Sequence, residues 1–507
     1  MTDTIVLGLD GANWALLDPW LDDGTLPNLA ALREAGVDRD LRSCLPPVTC
    51  PNWRCYSTGK NPGQLDVFWW EAIDAENRTL TTPTSRSFDS ANLWDYLGDD
   101  GRTTGVMNLP MTYPPFDLDG WMVAGGPGSD QNAYTTPSNL ADDLDSRGYR
   151  LHPETPVTAN DDTAAARALV DLIDDRLSTF RDLLKERPVD VAHLTVFYIN
   201  VLQHFFYRGV PTRRAWEVID EHIGAIRETY PDATLVLTSD HGCTEIDTVV
   251  YLNSWLEAEG YLVTEGDATD AFERFGINKA RVSKLAHRFG VHDLVTRFAP
   301  EGVKQAVPED EEGFKREQKL DRLDWERSRA VASGQGLVYA LDDDPATVDA
   351  LVADLEKLTG PNGRPIARTV HRREDYYKGP HVEDAPHVVF DQRPGVHTSG
   401  AIGDNPPFTG PDAWAAENVA TGLFLAAGTD VIDPAASEAV PNPVSITDVM
   451  PTVLRSVDSP IPTDVDGTAL GVFDTPATER DPIPYAAIDA RAEEDVQDRL
   501  ADLGYLE

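Results

Sequence analysis

The sequence predicts an α/β fold in three layers, a mostly parallel sheet with helices on both faces, carrying an inserted helical cap. Three observations predict it. Short β-branched and leucine-rich runs recur at residues 4–9, 104–108, 190–198, 234–238 and 422–426. Continuous apolar runs of that length suit strands buried on both faces. Helical patterns alternate with them at 26–35, 161–185, 213–230 and 345–358, and strand–helix alternation builds crossover units with parallel strands. Residues 265–329 then change character: Lys and Arg cluster there with His287 and His292 at helical spacing. The domain organisation that follows is one core from 1–264 and 330–507, interrupted by a cap at 265–329.

The strand at 4–9 ends in Asp10-Gly11, and open α/β sheets collect ligand groups at the carboxyl ends of their strands. The helix at 26–35 is closed by Gly36. Residues 45–63, L-P-P-V-T-C-P-N-W-R-C-Y-S-T-G-K-N-P-G, are the most constrained stretch. Pro46 and Pro47 hold the chain extended, and Pro51 suits the first turn of a helix, where its missing N–H costs nothing. Thr58 to Gly63 then ends that helix in a tight turn. Thr49 is left at the helix mouth, where unpaired N–H groups and the helix dipole favour negative charge. Read alone, it is more readily a helix cap than a nucleophile. Trp69 and Trp70 lie in an aromatic and polar stretch, 67–88, and read as a pocket wall or as packed core. A further helix begins at 93–97. The strand at 190–198 leads into Ile199-Asn200, and that at 234–238 into Ser239-Asp240-His241-Gly242. Beyond the insert come strands at 336–340 and 387–390, then a Gly/Pro-rich loop at 395–410 holding His397. The strand at 422–426 and helices at 445–454 and 491–503 complete the chain, and no internal repeat is present.

Charge narrows the function. The chain has 86 acidic and 43 basic residues, a net charge of −43, spread along its length. Such a surface opposes stable nucleic-acid binding and repels anionic membranes. Ordinary hydrophobic content excludes wholesale disorder. The pattern fits a protein adapted to high salt, where acidic surfaces stay hydrated and self-repulsion is screened. The opening residues M-T-D-T-I-V-L-G-L-D show no basic stretch before an apolar run, and no long apolar run follows. The expectation is a cytoplasmic protein with neither secretory signal nor transmembrane segment. Cys44, Cys50, Cys55 and Cys243 have no zinc-knuckle spacing and read as small buried residues in a reducing compartment.

Sorting the polar residues near strand ends leaves Asp10, Thr49, Asn200, His204, Asp240, His241 and His397. Oxygen and imidazole groups of this kind bind divalent metals such as zinc. Asp240-His241 places two donors at one sheet edge, and Asn200-x-x-x-His204 places two one helical turn apart. A single histidine is more often a satisfied core residue. At the ends of consecutive strands, the set points to a two-metal site.

The chain resembles the alkaline phosphatase superfamily, in particular its type I phosphodiesterase/nucleotide pyrophosphatase branch. The resemblance rests on G-L-D-G-A-N-W, L-P-N-L-A-A-L-R-E-A-G, P-P-V-T-C-P-N-W, T-G-K-N-P-G and T-S-D-H-G in the expected order. N-S-W-L-E-A-E-G-Y-L, I-T-D-V-M-P-T-V-L and R-L-A-D-L-G-Y-L-E extend it nearly end to end. It implies an alkaline-phosphatase-like sandwich with two divalent ions, zinc first and manganese second. Asp10, Thr49, Asp240 and His241 would hold one, and Asn200, His204 and His397 the other. Thr49 would be the nucleophile, Asn52 would donate to a phosphoryl oxygen, and a small phosphorylated substrate would be hydrolysed through a phospho-threonine.

Two departures from the family pattern stand out. The usual aspartate four residues before the histidine is Asn200, and a neutral amide is a poorer metal ligand than carboxylate. Leu65-Asp66 replaces a frequent His-Gly, and the spacing from His397 to Gly422 is stretched, which makes His381 and His387 its competitors. A sulfatase is excluded: the arginine its signature needs is Trp53, and threonine cannot mature to the required aldehyde. The alternatives to a phosphodiesterase are a weakened member that binds a phosphorylated ligand or partner, and a phosphotransferase acting on glycans or lipids.

Overall fold

The computed structural model describes residues 2–264 and 322–485, apart from 71, 75–78, 82–89, 127–128, 130, 132, 158–161, 343, 404 and 412. A nine-stranded sheet forms its centre. Its strands are β1 (Thr4–Leu9), β2 (Val37–Arg42), β3 (Thr104–Met107), β4 (Gly120–Val123), β5 (Thr135–Thr136), β6 (Val191–Val196), β7 (Thr234–Thr238), β8 (Thr421–Ala427) and β9 (Val444–Ser445). They lie in the order β9-β2-β8-β7-β1-β6-β3-β4-β5. β1 pairs in parallel with β6 and β7, and β3 with β6 and β4. β8 runs antiparallel to both β7 and β2, so the sheet is mixed. Every residue of β1, β6 and β7 is buried, as expected of central strands covered by helices on both faces.

The helices α1 (Trp14–Asp22), α2 (Pro27–Ala35), α3 (Thr49–Thr58), α4 (Thr163–Glu186), α5 (Tyr198–Phe206) and α6 (Val210–Thr229) share one apolar core with this sheet. The sequence reading missed α1 because Pro19 interrupts its helical pattern. The Asn13 side chain, accepting from the Leu16 N–H, starts that helix.

A second sheet orders Ala330–Ala332, Leu337–Ala340, Val388–Gln392 and Ala367–Arg372, all antiparallel. It has its own apolar core with the helix Pro345–Leu355. The strands expected at 336–340 and 387–390 belong to this smaller sheet, not to the central one. The expected loop at 395–410 is bounded by two short strands: Val396–Ser399 pairs in parallel with Thr248–Tyr251, which also pairs with Phe408–Thr409. His397 therefore sits on a strand opposite Val249. Glycine and proline at 395–410 suggested a loop because tertiary pairing does not show in composition.

Residues 265–321, and with them most of the expected cap, lie outside the described residues, as does the expected helix at 491–503. The chain on either side of that gap is brought together. Thr264 bridges Leu323, and the Asp324 N–H donates to the Val263 carbonyl. All four cysteines are free thiols.

Candidate active site

The parallel register sets the site. Gly8 of β1 lies level with Thr195 of β6 and Thr238 of β7, so Asp10, Asp240 and the start of α5 leave the sheet at one edge. β8 runs the other way, which brings the residues before it, Trp414 to Ala420, to that same edge.

α3 presents Thr49 there. The cap of α3 is Val48, extended at φ −131° and with no side-chain capping bond, and the left-handed Gly59 closes the helix at φ 69°. Thr49 is thus the first helical residue rather than its cap. Its fully buried hydroxyl lies 3.4 Å from Asp10 Oδ1 and 3.3 Å from His241 Nε2. Asp10, Asp240 and His241 are also wholly buried, and one donor atom from each lies within 4.8 Å of the others. His241 Nε2 is 3.1 Å from Asp240 Oδ2 and 3.9 Å from Asp10 Oδ1.

Two buried carboxylates this close need a positive charge. Burial pushes the Asp10 carboxyl well above its ordinary range, and repulsion by Asp240 adds to it. Burial alone would lower the His241 imidazole, but Asp240 and Asp10 outweigh it and hold the pKa up at about 9. Asp240 Oδ2 is buried and faces only the His241 imidazole, without an aligned hydrogen bond, an acceptor that a cation satisfies more fully. The donor set of Asp10, Asp240, His241 and Thr49 therefore fits a divalent metal.

Supporting contacts that the sequence did not signal hold these ligands. The Trp53 indole donates to Asp10 Oδ2 at 2.9 Å, and the Gly11 N–H donates to Asp240 Oδ1 at 3.1 Å. Ser43 donates to the Asp240 carbonyl at 2.6 Å. Asn52, expected to donate to a phosphoryl oxygen, is engaged by the backbone before α3. The two N–H groups of its Nδ2 are shared among the carbonyls of Pro46, Val48 and Cys44 at 2.9, 3.0 and 3.2 Å, and its Oδ1 accepts from the Cys44 N–H. The physical reason is the proline-rich approach to α3, whose extended backbone leaves carbonyls that only a nearby donor satisfies.

The expected second set is assembled differently. Asn200 Nδ2 lies 3.1 Å from His204 Nε2, and His204 Nδ1 lies 2.8 Å from the Ala416 carbonyl. Burial lowers the His204 pKa to about 4. His397 pairs through Nδ1 with the buried carboxylate of Glu417, which also accepts from Gln335 and from the Asn418 N–H. Burial would raise the Glu417 pKa, but His397 and His204 hold it below its ordinary value. The Trp414 ring lies 4.2 Å from the His204 ring and 6.2 Å from that of His397. Glu417 carried no sequence signal, because a single acid before an apolar strand reads as surface. His387 accepts from the Ala340 N–H. His381 joins Asp66 and Asp384 in the other group among the described residues able to converge on a cation, with those two carboxylates 51% and 61% exposed.

An α/β sandwich whose sheet edge gathers a buried threonine, two aspartates and a histidine defines a metal-binding hydrolase of the alkaline phosphatase type. The family model for type I phosphodiesterase / nucleotide pyrophosphatase matches residues 4–415, and the chain belongs to that family. Solved structures share the fold at low identity. A phosphonoacetate hydrolase from Sinorhizobium meliloti 1021, in complex with phosphonoformate, is 14% identical with a TM-score of 0.59 over 90% of this chain and 95% of that one. The alkaline phosphatase PafA is 12% identical with a TM-score of 0.56, over 93% of this chain and 98% of that one. Murine ectonucleotide pyrophosphatase / phosphodiesterase 5 is 12% identical with a TM-score of 0.51, over 92% and 98%. A search of curated proteins returned no match.

Proposed function

We propose that this hydrolase cleaves phosphodiesters or nucleotide pyrophosphates of small phosphorylated substrates, with Thr49 as nucleophile. The observation that supports it is the buried Thr49 hydroxyl at the first turn of α3, within 3.4 Å of Asp10 and of His241. An inactive threonine-to-alanine form of the murine ectonucleotide pyrophosphatase / phosphodiesterase 5 was solved with AMP, which agrees with a threonine at the centre of the reaction.

Thr49 Oγ1, oriented by its hydrogen bond to Asp10 Oδ1, attacks phosphorus and gives up its proton to solvent. The bond to the leaving oxygen breaks, that oxygen takes up a proton from solvent and departs as the alcohol or phosphate, and the phosphoryl group rests on Thr49. The free N–H groups of the first turn of α3 favour its negative charge. Water then hydrolyses the phospho-threonine and restores the hydroxyl. A divalent cation held by Asp10, Asp240 and His241 would supply Lewis acidity toward the phosphoryl oxygens and lower the hydroxyl pKa. Nitrogen and carboxylate donors together suit zinc or manganese.

The test is hydrolysis of bis(p-nitrophenyl) phosphate at high salt with added zinc or manganese. Thr49→Ala is expected to lower turnover by about a thousandfold or more while leaving the melting temperature in place. Unchanged turnover in that variant would remove Thr49 from the chemistry. Asn200, at the family's carboxylate position, favours a second reading in which a weakened member binds a phosphorylated ligand. Tight AMP binding by a protein with no turnover would establish it.

A further inference from the structure

The family pattern asks for a second metal at Asn200, His204 and His397, and the residues present do not fit one. The reason is a directional chain of hydrogen bonds. The Trp216 indole has only a donor, and it donates to Gln203 Oε1 at 3.3 Å. That fixes the Gln203 amide. Its Nε2 donates to the carbonyls of Asp10 and Gly11 at 3.2 and 3.1 Å, and lies 3.3 Å from Asn200 Oδ1. Asn200 keeps its oxygen toward Gln203 Nε2, because its own NH2 there would face another donor, and its Nδ2 lies toward His204 Nε2 at 3.1 Å. His204 Nε2 must then accept. Nδ1 carries the proton and donates to the Ala416 carbonyl at 2.8 Å.

Both nitrogens of His204 are therefore engaged, and the lone pair a metal would use points at an amide N–H. The side chains of Asn200, Gln203 and His204 are buried at 1% exposure or less, so water does not compete for these bonds. Close packing keeps the amide in place. A Cβ on Gly11, whose φ is +67°, would come within 2.1 Å of Asn200 Oδ1. The third expected ligand, His397, is held by Glu417 through Nδ1, a contact that orients a ligating histidine, so the obstacle lies at Asn200 and His204.

We propose that this chain works with one divalent cation, at Asp10, Asp240 and His241, and that the Trp216–Gln203–Asn200–His204–Ala416 chain stands in the place of the second. The proposal rests on the reading of Asp10, Asp240 and His241 as metal ligands. It differs from a general loss of function, since the Thr49 side of the site is intact. His204 is a positioning residue in this arrangement. It ties α5 to the strand that carries Glu417, and through Gln203 to the backbone of Asp10.

The experiment is manganese binding to the full-length protein at high salt, counted by calorimetric titration and by metal analysis after gel filtration. The wild type, Asp240→Asn, His204→Ala, Glu417→Gln and Asn200→Asp are compared. Asp240→Asn is expected to lose one tightly bound ion, whereas His204→Ala and Glu417→Gln keep the wild-type count. Asn200→Asp, which turns the blocking donor into a carboxylate, is expected to gain one. Loss of an ion in His204→Ala or Glu417→Gln would overturn the proposal and leave Thr49 hydrolysis standing. No gain in Asn200→Asp would overturn the role given to the amide. No loss in Asp240→Asn would instead overturn the metal reading on which the proposal rests.

Discussion

Asp10 shows how much of this site depends on single side chains outside the ligand set. Its carboxylate is wholly buried beside Asp240, and the Trp53 indole is the neutral donor that fixes one of its oxygens. Groups that orient a metal ligand typically change metal affinity ten- to a hundredfold. Trp53→Phe keeps the ring packing and removes the N–H, so manganese affinity is expected to fall about tenfold, measured by titration calorimetry. An unchanged affinity would make Trp53 a packing residue alone. Asn52 acts on the nucleophile from the other side, holding residues 44–48 against the start of α3. Asn52→Ala strands several buried backbone groups and is expected to cost about 2–4 kcal/mol in denaturant unfolding, against about 1–3 kcal/mol for one unsatisfied group. A cost under about 0.5 kcal/mol, the size of an ordinary surface substitution, would deny it that role.

At the scale of elements, β6 is the strand with a buried charge problem. His193 faces Tyr56 of α3, 2.8 Å from its hydroxyl, and Thr195, 2.7 Å away, and its ring packs edge-on against Trp53. Burial lowers its pKa to about 3, from about 6.5 in an unfolded chain. The folded state therefore binds fewer protons than the unfolded state between those values. The stability this group contributes is complete above about pH 6.5 and is lost as pH falls toward 3, by up to about 1.4 kcal/mol per pH unit. The melting temperature is expected to fall from pH 7.5 to pH 5, and less steeply in His193→Phe than in the wild type. Equal slopes in the two proteins would assign the acid sensitivity elsewhere. The same element explains part of what sequence missed. The apolar run at 190–198 announced a strand, but not that its histidine would brace the helix carrying Thr49.

For the whole molecule the governing number is the net charge of −43 on 507 residues. Among the described residues, many acidic side chains are only partly matched by arginine pairs at the surface, and exposed pairs contribute little. Unscreened repulsion then opposes the compact state. Raising potassium chloride from 0.1 M to 2 M shortens the screening length from about 10 Å to under about 3 Å. The melting temperature is expected to rise by several degrees, read by differential scanning calorimetry. A flat or falling response would show that the acidic surface is not a salt adaptation. No helix among the described residues is long and apolar enough to cross a membrane.

The sequence by itself determined the central strands and the helix after Thr49, and offered Asp10, Asp240 and His241 among the polar residues at strand ends. Buried parallel strands are written as continuous apolar runs, and the polar residue that follows each one marks the sheet edge. Tertiary structure alone decided the rest. The antiparallel course of β8 brought Glu417 and Trp414 to the site from a segment with no local signal. Pairing with Thr248–Tyr251 made a strand of the stretch around His397. Whether Asn200 ligates or blocks depends on which way its amide points. A Trp216 donor two bonds away sets that direction, because hydrogen-bond polarity passes through contacts in space rather than along the chain.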